Sequence, residues 1–179
     1  MRRFAPIAVM AALLFPVNLA FALDPGKDGF YHTGDGIRTK SVAFITVKVY
    51  AIGHDIKCLP KVKSKQEVID LDCDKRLTWK MMRDVDKEKI QSALKDAYAM
   101  NGYADQAKIN QALSAFTGEL KENGYVVISY DAGRKETRFW VQGQGNVVVP
   151  GTDFMKATWS IWFGKIDQPS LGDALISRL

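Results

Sequence analysis

The chain has 179 residues, of which 47% are hydrophobic and 25% charged, with a formal net charge of +5. That size fits one domain, and that composition excludes a disordered or collagen-like chain. Two cysteines exclude a cysteine-dense knot and a four-cysteine zinc site, and leave room for one disulfide.

The chain opens on Met1-Arg2-Arg3, and Phe4 to Phe21 then carries no charge and is rich in Ala, Leu, Val and Phe. Ala20-Phe21-Ala22 fits the small-x-small cleavage rule. The pattern predicts a signal peptide over 1–22 cut after Ala22, one domain over 23–179, and a periplasmic or secreted protein. A membrane anchor is the competing reading, but the apolar run sits at the lower limit of a span and is broken by Pro6 and Pro16. Arg2 and Arg3 supply two of the five excess positive charges, so the basic balance is not a nucleic-acid footprint. No nucleic-acid partner is expected, nor a stable membrane span after residue 22.

Residues 24–35 are rich in Gly and Asp and predict a leading loop. Residues 37–52 predict one long strand, with Ala43, Ile45, Val47, Val49 and Ala51 apolar on alternate positions. Period-two alternation puts Arg38 and Tyr50 on its other face, unless a bulge intervenes. Cys58 and Cys73 are either a disulfide, worth about 3 kcal/mol for a loop of this length, or two unrelated thiols. Between them, a short helix is expected around 66–71. A strand over 76–83 follows, then Asp84-Val85-Asp86 with helix N-cap chemistry. Ile90, Ala93, Leu94, Ala97 and Tyr98 form one helical stripe, and Ile109, Ala112, Leu113, Phe116 and Leu120 a second. Strands are expected at 125–130, 136–142 and 146–149. Phe154, Ala157, Thr158, Ile161 and Trp162 make a further helix, and 167–179 a last short one. The order points to an α+β domain, a mostly antiparallel sheet covered by helices.

The chain lacks a GxGxxG, a P-loop, an HExxH and a GxSxG, so no catalytic residue is assigned and neither a cofactor nor a metal is expected. His32, His54, Cys58 and Cys73 match no standard zinc spacing. The aromatics Phe154, Trp159, Trp162 and Phe163 read as core. One constellation remains as a ligand-binding candidate, Arg38 with Tyr50. A guanidinium holds a carboxylate through two parallel hydrogen bonds and a phenol adds a third, beside apolar neighbours that suit a small amphipathic acid. On pattern alone, an exposed strand-end charge and an ordinary strand aromatic is the simpler account.

Gly36-Ile37-Arg38-Thr39-Lys40 followed by Val47-Lys48-Val49-Tyr50-Ala51-Ile52-Gly53 resembles the opening of the chalcone isomerase-like family. Asp74-Lys75-Arg76-Leu77, Met82-Arg83-Asp84-Val85, and then Ile161-Trp162-Phe163-Gly164 with Asp173-Ala174-Leu175 continue the likeness, which is nearest to the secreted bacterial branch. The resemblance implies an open-faced β-sandwich, a large antiparallel sheet under a layer of helices with a ligand cleft between them. The family includes plant enzymes that cyclise chalcones and non-catalytic members, among them fatty-acid-binding proteins. By this likeness Arg38 matches the ligand-facing arginine, while Tyr50 replaces the catalytic threonine, Asp86 a tyrosine and Ala93 an asparagine. Asp86 is expected to repel an anionic substrate. The resemblance therefore implies a binding protein for a small amphipathic (fatty or aromatic) acid. An intramolecular lyase or isomerase and a protein-interaction module are the alternatives, and the sequence leaves the oligomeric state open.

Overall fold

The computed structural model describes residues 23–179, and the expected leader, 1–22, lies outside the described residues. Six strands form one antiparallel meander in chain order: β1 (Tyr31–Val42), β2 (Ile45–Ile56), β3 (Lys75–Met81), β4 (Tyr125–Asp131), β5 (Glu136–Val141) and β6 (Asn146–Pro150). Helices α1 (Lys65–Asp70), α2 (Lys87–Met100), α3 (Gln106–Leu113), α4 (Thr152–Phe163) and α5 (Pro169–Leu175) cover one face. The expected α+β architecture, an open antiparallel sheet packed with helices, is the one observed. No helix among the described residues is long and apolar enough to cross a membrane.

Alternation along the strands explains the layering. β3 buries Leu77, Trp79 and Met81, β4 buries Val126, Ile128 and Tyr130, and β5 buries Phe139 and Val141. Their intervening residues face away, as a sheet with one covered face requires. α4 lies over this apolar surface and is buried on nearly every side, from Phe154 and Met155 to Trp162 and Phe163.

The long strand expected over 37–52 is instead a hairpin that turns at Ala43 and Phe44. Both turn residues are apolar and neither is glycine, so no turn signal marks the spot. The leading loop is also shorter than expected, because Tyr31 to Asp35 already belong to β1. Two bulges shape the hairpin. Thr33 is an extra residue in β1 and Val49 an extra residue in β2. The second one reverses the phase of β2. Tyr50, Ile52, His54 and Ile56 are buried, but beyond the bulge the inward positions shift to Val47 and Val49. Gly34 follows the Thr33 bulge, where a Cβ would lie 2.2 Å from the Ala174 carbonyl oxygen, so α5 packs directly on the β1 backbone.

The second helical stripe also ends early. α3 stops at Leu113, where the Gln144 side chain accepts the Thr117 and Gly118 N–H groups and draws the chain off the helix. Phe116 and Leu120 still reach the core, Leu120 through a short bridge to Val85. Asp86 holds the N-cap position of α2 but makes no capping bond, and its carboxylate pairs with Lys89. Asp84 instead accepts the Glu122 N–H at 2.7 Å.

Cys58 and Cys73 are joined as a disulfide. It closes the segment carrying α1, whose Val68 and Ile69 are in the core. The buried Lys75 ammonium ties down the same segment by donating to the Val68, Ile69 and Leu71 carbonyls. Replacing both cysteines by serine should lower unfolding free energy by about 3 kcal/mol. Urea unfolding measures this, and unchanged stability would show that the lysine and the core already hold α1.

Beneath α4, a buried chain of hydrogen bonds crosses four elements. The Trp159 indole N–H can only donate, so His54 Nε2 accepts it at 3.1 Å and carries no proton. The proton therefore sits on Nδ1 and is donated to Thr33 Oγ1 at 2.7 Å. The Thr33 hydroxyl donates onward to the Leu175 carbonyl at 2.7 Å. Burial, with Lys75 and His32 nearby, pulls the His54 pKa down to about 3. This histidine is a neutral structural link and not a free base.

Candidate functional site

A hollow of about 800 Å³ opens between the sheet and the helices, walled by β1 and β2 on one side and α2 and the end of α4 on the other. That volume lies in the range of small-molecule sites, roughly 300–1,000 Å³. Val47 and Val49 line it because of the bulge, together with Trp79, Leu94, Ile161 and other apolar side chains. Five cationic side chains reach its wall or rim (Arg38, Lys40, Arg83, Lys89 and Lys165) against three carboxylates (Asp84, Asp96 and Asp167). The site is apolar in body and positive in balance.

Arg38 and Tyr50 both line this hollow. They sit on adjacent strands and not on one, directly opposite each other in the β1–β2 register. Such cross-strand partners have Cβ atoms about 4.5–5.5 Å apart, so the expected pairing is kept by a different geometry. Arg38 is half-buried. Its Nη2 meets Asp167 Oδ1 at 2.6 Å and its Nη1 donates to Gln168 Oε1 at 3.3 Å. Gln168 is held in turn by β1, accepting the Thr39 N–H and donating to the Ile37 carbonyl. Partial burial raises the Asp167 pKa, but hydrogen bonds from Lys40 and Arg38 outweigh it, and the carboxylate is held below its ordinary value. The guanidinium is thus oriented in advance, with a half-exposed carboxylate as its present partner.

Tyr50 forms part of the floor. It is 7% exposed and stacks on Trp79 with ring centroids 4.5 Å apart. Its hydroxyl accepts the Trp162 indole N–H at 3.1 Å. Because the indole cannot accept, the Tyr50 proton must point elsewhere, and among the described residues it has no acceptor. Burial above all pushes the Tyr50 pKa up to about 12, so it remains a donor at any ordinary pH. The Trp79 Nε1–H is likewise buried without an acceptor among the described residues. Two adjacent, stacked aromatics in the wall of one hollow therefore each carry an unpaired donor. Such groups are rare in folded proteins because each costs about 1–3 kcal/mol.

Of the other two family positions, Ala93 lines the hollow and Asp86 does not. Asp86 is exposed at the head of α2, so the repulsion expected from it is absent from the site wall. Cys58 and Cys73 are not among the lining residues either. Sequence reasoning missed Asp167, Gln168 and the second role of Trp162. Trp162 read correctly as core, and nothing in its spacing signals the bond to Tyr50. Asp167 and Gln168 are joined to β1 only by the fold.

The chalcone isomerase-like family profile matches residues 15–175. A search of curated protein sequences finds no match. Among solved structures, a fatty-acid binding protein from Arabidopsis thaliana superposes with a TM-score of 0.69 at 16% identity, over 87% of this chain and 90% of that one. At that identity the likeness speaks for the fold. With the profile spanning nearly the whole chain, this protein belongs to the chalcone isomerase-like family.

Proposed function

We propose that the protein binds a small amphipathic carboxylic acid, such as a fatty acid, in the hollow between sheet and helices, without chemical turnover. The observation that carries this reading is the Tyr50 hydroxyl, whose proton has no acceptor among the described residues, directly across the strand pair from the oriented Arg38 guanidinium in a hollow of apolar body. A carboxylate supplies an acceptor for the Tyr50 hydroxyl and a charge for Arg38, and an acyl or aromatic body fills the apolar space. The Arabidopsis protein of the same fold is a fatty-acid binding protein, which supports the ligand class. The disulfide and the leader-like start of the sequence support an oxidising compartment outside the cytoplasm.

Native mass spectrometry of freshly purified protein, followed by lipid extraction, tests the ligand class without prior choice. The expected result is a bound species that extracts as an organic acid. A neutral or cationic ligand overturns the reading. Asp167 provides a second test, because it competes with the ligand for Arg38. Asp167→Asn should tighten binding of a straight-chain acid by roughly two- to fivefold, the scale of a partly exposed charge interaction of about 0.5–1 kcal/mol. Calorimetric titration reads this, and weaker binding in the variant would mean that Asp167 aims the guanidinium and does not oppose the ligand.

A further inference from the structure

The β1–β2 hairpin ends in an apolar tip that the fold does not use. β3 pairs with β2 only as far as Tyr50, opposite Met81, so Thr39 to Lys48 continue as a two-stranded finger past the next strand. Its turn residues Ala43 and Phe44 both lie in the left-handed region, with φ of 44° and 73°. Hairpin turns of this hand select Gly, Asn or Asp, and a bulky residue there is strained. Phe44 is nevertheless fully exposed, and Ile45 is 66% exposed. The tip bears both backbone strain and exposed apolar surface, and gains no packing in return.

Around the tip the charge is positive. Lys40 and Lys48 are exposed on the two strands of the finger, and residues 39–48 hold no carboxylate, whereas Arg83, Lys89 and Lys165 on the rim of the hollow stand among Asp84, Asp96 and Asp167. The finger adjoins that hollow, which Lys40 and Val47 line together with Arg38 and Val49 at its base. An apolar point flanked by two lysines on a finger without carboxylates matches a layer of anionic headgroups over acyl chains. A protein partner fits less well. Stable protein interfaces bury about 1,200–2,000 Å² with shaped complementarity, and a finger tip with two large apolar side chains offers far less.

We propose that the β1–β2 finger docks the protein on an anionic lipid surface, with Phe44 and Ile45 entering below the headgroups and Lys40 and Lys48 at headgroup level. Docking places the mouth of the hollow at the surface where acidic amphiphiles partition. Its purpose rests on the ligand reading above, but the docking itself is tested separately.

The chain from Leu23 to Leu179, as the expected cleavage leaves it, is sedimented with vesicles of phosphatidylcholine alone and of phosphatidylcholine mixed with phosphatidylglycerol. Wild type should sediment with the anionic vesicles, and rising salt should release it. Phe44→Gly suits the turn and removes the apolar tip, so it should fold at least as well while binding falls at least about tenfold. Ile45→Thr keeps a strand-forming residue and should weaken binding in the same direction. Calorimetry with a soluble short-chain acid should give equal affinity in wild type and both variants. Three results overturn docking: wild type left in the supernatant with both vesicles, Phe44→Gly sedimenting like wild type, or a wild-type dimer that the variant converts to monomer. Vesicle binding without acid binding would overturn the ligand reading and leave docking intact, and acid binding without vesicle binding would do the reverse.

Discussion

Arg38→Ala should weaken binding of a straight-chain carboxylic acid by about 1.5–3 kcal/mol, roughly ten- to 150-fold, while leaving binding of the methyl ester nearly unchanged. The guanidinium supplies the cation and the paired donors that a carboxylate uses and an ester does not. The variant has a second effect in the same direction. Asp167 loses its 2.6 Å partner and is left in the wall as a carboxylate held only by exposed Lys40. Arg38→Lys keeps the charge without the fork and should fall between the two. Calorimetric titration of acid and ester against all three proteins gives the comparison. Equal acid affinity in wild type and Arg38→Ala would remove Arg38 from the site.

Acidification should destabilise the protein through His54. This histidine is fully buried, and its folded-state pKa of about 3 lies below the ordinary value of 6.5. Between those values the unfolded chain binds a proton that the folded chain refuses, so stability falls as the pH drops. The slope is about 1.4 kcal/mol per pH unit, and the full window amounts to roughly 5 kcal/mol. The cause is visible in the bonding. A second ring proton would face the Trp159 N–H, which cannot turn into an acceptor. His32 acts in the opposite sense. Its partial burial lowers its pKa, but the hydrogen bonds it donates to Asp35 and Asp55 outweigh this and carry the pKa above the ordinary value, so its contribution is full below that value and lost as pH rises. Lying near the surface, it offsets only part of the His54 loss. Urea midpoints measured from pH 7 to 3 should fall steeply in wild type. His54→Gln retains an acceptor for Trp159 and a donor for Thr33, and its midpoints should fall less steeply by up to one proton's worth of slope. Parallel curves for the two proteins would show that His54 is not the titrating group.

The elements that were legible in the sequence are those whose burial follows one period. The α4 stripe, the β3 alternation and the β4–β5 turn all stand where spacing put them. Misread segments were governed by contacts distant in sequence. The hairpin at Ala43 and Phe44 carries no turn chemistry and was hidden inside a continuous β-like run. The bulge at Val49 rotates the apolar face midway, which is why both Val49 and Tyr50 face the hollow. α3 was overestimated because Phe116 and Leu120 keep helical spacing while Gln144, from another turn, holds that backbone in a different path. At the site, strand alternation itself joined Arg38 with Tyr50 but favoured an ordinary surface charge and strand aromatic, and the family likeness marked Arg38 as the ligand-facing residue. Their partners Asp167, Gln168 and Trp162 lie far along the chain and meet β1 and β2 only after folding.

The most direct measurement is ¹³C nuclear magnetic resonance of a carboxyl-labelled fatty acid bound to the protein, followed through an acid titration. A head group resting on Arg38 and accepting from Tyr50 is stabilised in its ionised form, so the bound carboxyl should titrate below the free acid. In Arg38→Ala the titration should move back up. A bound carboxyl that titrates like the free acid in both proteins, or one already protonated at neutral pH, would contradict an anion held by this guanidinium.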